Sequence, residues 1–190
     1  SVKLLMDYPP DRSLADALRA QEGCCAGCGN PLNGFGTGTL VSKGTALLRS
    51  AVGQGFRKCE YSGGLYCPRC QPGDSAAVVP AAVAHDWDFS AHKVSGIAKS
   101  YLDSIVSQPM LCLGAVNPGI YTRVPLLLKV RERRYRLARL TPELRGFEEG
   151  RALLRSAGQR SYLLEGGEYY AMRDLMDLSK GAAFARLPAW

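Results

Sequence analysis

Apolar positions along this chain mostly recur at intervals of three and four, the period of a helix with one buried face. Ser13-Leu14-Ala15-Asp16 has the form of a capping box with Asp in the Glu position, and Leu14, Ala17 and Leu18 supply a short apolar face. A helix of about two to three turns is therefore expected ahead of the first cysteines. Ser95 is the expected cap of a helix carrying Ile97, Ala98, Tyr101, Leu102, Ile105 and Val106, closed by Gln108-Pro109. Asn117-Pro118 reads as a cap with proline at the first helical position. Pro125 then opens or kinks a longer helix through Leu140, with Leu126, Val130, Leu137 and Leu140 on one face. Thr141-Pro142-Glu143-Leu144 restarts a helix to about Ala157, which Gly158 breaks. After the short apolar stretch Ser161 to Glu165, the segment Glu168 to Lys180 carries Tyr169, Met172, Leu175, Met176 and Leu178. It predicts a last amphipathic helix with Gly181 at its C-cap.

Strand signals are brief. Arg57 to Tyr61 and Gly63 to Cys67 predict a small hairpin, and Ala76 to Val83 predicts a proline-interrupted extended segment. Asn30 to Phe56 is rich in Gly, Ser and Thr and reads as loop, with one helical turn at Ala46 to Val52. Gly34-Phe35-Gly36-Thr37-Gly38 suggests a phosphate cradle, but no Lys-Ser/Thr pair follows and no strand-turn-helix frames it. The expected class is mainly α: a helical domain with an N-terminal C-x-x-C/C-x-x-C module and a small β-hairpin. A single domain over 1–190 is expected, with room for truncation at its ends. The zinc-binding module would cover 22–75 and the helical part 76–190.

Seven cysteines sharpen this picture. Cys25 and Cys28, then Cys67 and Cys70, form two C-x-x-C pairs about forty residues apart, the spacing of a four-thiolate zinc site. Cys24 competes for the first place, but only Cys25 stands two residues from Cys28. Gly27 and Gly29 fit turns that need positive φ. Two disulfides are the competing reading; the odd cysteine count and the absence of a signal peptide weigh against it. Four thiolates leave no open position, so the metal, Zn2+ rather than iron by preference and not by spacing, would hold the fold and do no chemistry. Cys59 is expected to pack, although a second metal is the alternative. In the His85-Asp86-Trp87-Asp88-Phe89 run, the aromatic rings read as core anchors and the polar groups as partners of buried backbone.

The formal charge of +7 favours an acidic partner: protein, anionic membrane or nucleic acid. Its densest part is Lys129, Arg131, Arg133, Arg134, Arg136 and Arg139, which reads either as a solvated face or as a docking surface. Aromatic interleaving is limited to Tyr135, so nucleic acid is not the expected partner. No apolar run approaches the roughly 18 residues of a membrane span, and a soluble protein of a reducing compartment is expected. No enzyme is expected. A RING-like ligase needs two interleaved zinc sites, and Cys112 with His85 lacks the context of a hydrolase.

Taken together, Cys25-x-x-Cys28, Cys59-Glu60-Tyr61, Tyr66-Cys67-x-x-Cys70, Val79-Pro80-Ala81, His85-Asp86-Trp87-Asp88-Phe89-Ser90, Gln108-Pro109, Val116-Asn117-Pro118 and Tyr121-x-x-Val124 resemble the Rubicon homology domain. Arg160 to Glu165 and Leu175 to Gly181 are similar to the plant-type members that also carry a phox-homology domain. The resemblance implies a zinc-bound helical adaptor that binds a GTP-loaded late-endosomal Rab GTPase. It further implies action in endosome maturation, autophagy and lysosome or vacuole fusion, in the cytoplasm and peripherally on those membranes. The partner surface expected here is Lys129, Arg131, Arg133, Arg134 and Arg136, with a phosphoinositide surface as a further partner. The sequence departs from the family at Gln71, where a His is usual after the second pair, and it lacks the family's later Cys and His clusters beyond Cys112.

Overall fold

The computed structural model describes residues 6–32, 55–166 and 168–181. The helical turn expected at 46–52 and the glycine run 34–38 lie outside the described residues. In chain order the elements are α1 (Leu14–Ala20), β1 (Arg57–Lys58), β2 (Leu65–Tyr66), β3 (Ala76–Val78), α2 (Pro80–Asp86), β4 (Ala91–Lys93), α3 (Gly96–Ile105), β5 (Leu111–Cys112), α4 (Leu113–Val116), α5 (Ile120–Arg123), α6 (Pro125–Leu144), α7 (Glu148–Ser156), a 3-10 helix (Gly158–Leu164), β6 (Tyr169–Tyr170) and α8 (Met172–Ser179). The fold is mainly helical, and among the described residues the strands form three antiparallel two-stranded pairs, β1–β2, β3–β4 and β5–β6. The described residues fall into two compact units, one within Tyr8–Ala81 and Ser90–Ser104, the other within Ser1–Asp7, Ala82–Phe89 and Ile105–Trp190.

The first unit holds the cysteines. Ser13 Oγ accepts the Asp16 N–H at 3.1 Å and so starts α1, as its capping pattern predicts. The hairpin β1–β2 pairs Arg57 with Tyr66 and Lys58 with Leu65. Ser95 caps α3 by accepting the Ala98 N–H at 3.2 Å, and α3 turns Ala98 and Leu102 inward while Ile97 and Tyr101 stay exposed. Leu18, Leu32, Phe56, Cys59, Leu65 and Val94 fill the core.

The second unit is built on α6. Leu127, Val130, Arg134 and Thr141 form its buried stripe, whereas Leu126 and Leu140, expected on the apolar face, are 47% and 46% exposed. The inward face is thus rotated, with an arginine in the middle of it. α6 also runs through Pro142 without a break. That proline falls in the last turn, where one ladder bond is lost, and Thr141 Oγ1 donates to Leu137 O at 2.9 Å and Leu164 O at 3.1 Å. Full burial of Leu127 stabilises the unit by about 1.5–3 kcal/mol.

Other differences from the sequence reading have local causes. Residues 80–86 are helical because Pro80 occupies the first helical position, where its missing N–H costs nothing. Asn117 does not cap with its side chain; Nδ2 donates to Ala84 O at 3.0 Å. The last helix starts at Met172, because Tyr169–Tyr170 pairs with Leu111–Cys112 and the Asp174 carboxylate accepts the Ala171 N–H at 3.0 Å. Gly181, with φ +70°, closes it as expected.

Candidate functional site

Short backbone bonds bring the two cysteine turns together. In the first turn, Cys25 N–H donates to Asn30 O at 2.8 Å and Gly29 N–H to Cys25 O at 2.9 Å, and Ala26 N–H reaches Leu65 O of β2 at 3.0 Å. In the second, the N–H groups of Cys70 and Gln71 both donate to Cys67 O at 3.0 Å, and Gly96 N–H at the start of α3 donates to Cys70 O at 2.8 Å. Gln21, which the sequence reading passed over, ties the turns to α1. Its Nε2 donates to Cys24 O and Leu65 O, and its Oε1 accepts the Leu65 N–H. A lone Gln after a helix carries no sequence signal for such a clamp.

The Sγ atoms of Cys25, Cys28, Cys67 and Cys70 all lie within 4.8 Å of one another, and Cys28 and Cys67 are 3.9 Å apart. A zinc tetrahedron with bonds of ~2.3 Å has edges of about 3.8 Å, so the quartet fits a metal with little adjustment. The surroundings fit as well. A Cβ at Gly27 would stand 3.0 Å from Cys70 Sγ, so a side chain there would intrude on the cluster. Gly27 therefore serves by close approach, while Gly29, at φ +72°, serves by conformation.

Cys25 Sγ accepts the N–H groups of Gly27 at 3.4 Å and Cys67 at 3.2 Å. Burial raises the Cys25 thiol, but the N–H groups of Cys67, Cys28 and Gly27 together outweigh it and bring it down to about 6. Cys70 is pushed up to about 12 by burial and by its three cysteine neighbours. Four thiolates this close would repel one another, which with burial is why Cys70 holds its proton; a dication among them would offset that repulsion. A bound zinc would supply cross-linking of the two turns, with no open coordination position for a substrate.

The remaining cysteines stand apart from the quartet. Cys24 Sγ faces Glu22 O at 3.6 Å. Cys59 is fully buried and accepts the Ser95 N–H at 3.3 Å. Cys112 is half-buried on β5. Gln71 is 1% exposed and donates through Nε2 to Lys58 O at 3.1 Å, so it bolts the second turn to β1.

On α6 the five expected partner residues divide into two groups. Arg134 is 3% exposed; its guanidinium donates to Leu163 O at 3.2 Å, Tyr169 O at 3.0 Å and Tyr162 O at 3.5 Å, and lies 4.5 Å from the Tyr170 ring centre. Arg131 pairs with Glu168, which also accepts the Tyr135 hydroxyl at 2.7 Å, and stacks 4.5 Å over Tyr121. Lys129, Arg133 and Arg136 are exposed, and among the described residues no carboxylate lies within ion-pair distance of them. No helix among the described residues is long and apolar enough to cross a membrane.

The pattern of the Rubicon Homology Domain matches residues 57–189, which include Cys67 and Cys70. The chain is 33% identical over 129 residues to "Differentially expressed in FDCP 8 homolog" of Drosophila melanogaster, covering 66% of this chain and 26% of that protein. It is 31% identical over 171 residues to "Pleckstrin homology domain-containing family M member 3" of Xenopus laevis, and 32% identical to the Homo sapiens protein of that description. Each of these two alignments covers 89% of this chain and 20% of the relative. The chain spans about a fifth to a quarter of the length of these relatives. The family pattern reaches from β1 past α8, and the chain belongs to the Rubicon Homology Domain family.

Proposed function

We propose that this chain is a non-catalytic, zinc-binding adaptor module of endosomal or vacuolar trafficking and autophagy. Its partner would be a GTP-loaded late-endosomal Rab GTPase, met peripherally on the membrane. Family membership across 57–189 is the observation that carries the reading. The closed set Cys25, Cys28, Cys67 and Cys70 supports a structural zinc, since four thiolates fill the coordination sphere. An acidic partner face is supported by the exposed cations Lys129, Arg133 and Arg136 on α6, which meet no carboxylate among the described residues, while Arg131 and Arg134 position neighbouring backbone and carboxylate groups within the fold.

The deciding experiment is a pull-down of the metal-assayed chain against Rab GTPases loaded with a GTP analogue or GDP. GTP-dependent retention with about one zinc per chain supports the reading. Equal retention of both nucleotide states, or none, overturns the Rab assignment. The same exposed cations favour one second reading, an anionic lipid surface. Co-sedimentation with phosphoinositide vesicles that is lost at high salt, with no Rab retained, would establish it instead.

A further inference from the structure

The exposed side of α6 has a register of its own. Leu126, Arg133 and Leu140 are seven residues apart in succession, and Lys129 and Arg136 follow the first two by three. On a helix this three-four spacing draws one continuous line, about 21 Å long between the two leucines. The buried stripe of Leu127, Val130, Arg134 and Thr141 runs beside it, and among the described residues the line remains open along the flank of α6. Leu126 and Leu140, each nearly half exposed, mark its two ends.

Most of the unit's other arginines are engaged, while Arg139, Arg145 and Arg173 share with this line the lack of a carboxylate partner among the described residues, so the line is set apart by register and not by free charge alone. Arg131, Arg151, Arg155 and Arg160 each meet a carboxylate, and Arg134 meets carbonyl oxygens. Lys129, Arg133 and Arg136 meet no carboxylate among the described residues, although Glu132 lies on the same helix.

We propose that this flank, Leu126, Lys129, Arg133, Arg136 and Leu140, receives an acidic amphipathic helix of a protein partner laid lengthwise along it. The proposal rests on the adaptor reading in taking the occupant to be a protein. A seven-residue register is what a second helix needs to stay in contact at a crossing of about 20°. The occupant would place apolar side chains over Leu126 and Leu140, and Glu or Asp over the three cations between them. A bilayer needs no register. A helix lying in a membrane interface also puts its apolar face at the centre with cations at the borders, whereas here the cations are central and the leucines terminal.

The probe is a synthetic acidic peptide of about three heptads, with Leu at the two outer seam positions and Glu between. It is titrated into the zinc-loaded chain beside a copy carrying Lys for each Glu, with amide NMR shifts locating the contact. Three exposed ion pairs together make the acidic peptide about tenfold tighter than its copy. R133E/R136E should abolish that preference and L126S/L140S should weaken binding by a similar factor. R139E/R145E, the same charge change at two exposed positions off the line, one on α6 and one at its C-cap, should leave most of the preference in place. Equal binding of both peptides overturns the proposal, as does an equal response to the on-line and off-line reversals, or binding of phosphatidylserine vesicles in place of the peptide. The GTP-dependent pull-down, run on the same variants, keeps the two readings apart. Rab retention without peptide preference removes only the helix proposal, and peptide preference without Rab retention removes only the Rab assignment.

Discussion

A Cβ placed on Gly27 would stand 3.0 Å from the Sγ of Cys70, closer than side chains ordinarily approach. A side chain at residue 27 would therefore force Cys70 to give way by a few tenths of an ångström where the two cysteine turns meet. Gly29 is different: nothing lies within 4 Å of its would-be Cβ, and only its φ of +72° favours glycine. Gly27→Ala is expected to lower zinc affinity by about 10–100-fold, as changes to the groups around a metal's ligands do. Gly29→Ala should cost about 1 kcal/mol of backbone strain and leave the affinity nearly unchanged. Competition with a chromophoric chelator measures both, and equal losses would show that close approach to Cys70 is not what selects glycine at 27.

Metal removal should act on one unit before the other. The two turns are joined to α1 and β2 by Gln21 and the Ala26–Leu65 bond, so those elements depend on the cluster. Adding a strong chelator is expected to erase hydrogen-exchange protection in α1 and β1–β2 while α6 keeps its own. Cys25→Ser should abolish the stoichiometric zinc, whereas Cys24→Ser and Cys59→Ser should retain it. Cys59→Ser should still reduce stability, because the fully buried Sγ that accepts the Ser95 N–H is lost from the core. Zinc lost with Cys59→Ser but kept with Cys25→Ser would reassign the ligands.

The quartet was legible in the sequence because C-x-x-C spacing fixes geometry within a few residues, and the caps at Ser13 and Ser95 were legible for the same reason. The α6 arginines were not. Spacing cannot tell a cation facing solvent from one facing three carbonyls, since those carbonyls belong to Tyr162, Leu163 and Tyr169, far along the chain. Once Arg134 takes an inward position, the buried stripe rotates and Leu126 and Leu140 turn outward. Periodicity alone scores those leucines as core. The continuation through Pro142 was hidden likewise, because Leu164, which accepts from Thr141, lies outside the local pattern.

Arg134 leads to a stability prediction that separates it from its neighbour. Arg134→Met leaves the carbonyls of Leu163 and Tyr169 without their donors and removes the cation over Tyr170, so unfolding in urea should be easier by about 3 kcal/mol or more. Arg134→Lys should recover only part of this, because one ammonium cannot reproduce the planar fork. Arg133→Met, on the exposed flank, should stay within about 0.5 kcal/mol of the parent. Comparable losses at 133 and 134 would mean that the buried and exposed positions of α6 are misassigned.

Glu168 gives the second unit an acid-sensitive joint. The Tyr135 hydroxyl and the Arg131 guanidinium, together outweighing burial, hold its carboxyl below the ordinary carboxylate range. Its folded value thus lies below its unfolded value of ~4.3. The stabilisation is fully present above pH ~4.3 and is lost as pH falls through the folded value, because the unfolded chain takes up the proton first. Glu168→Gln should lower stability at neutral pH, and the gap to the parent should close progressively below pH ~4.3. Tyr135→Phe removes the largest stabilising contact, so Glu168 should titrate nearer its ordinary value and the acid window should narrow from its lower edge. Urea midpoints across the acid range measure both effects. A gap that is constant with pH would place the Glu168 contribution in packing rather than in its charge.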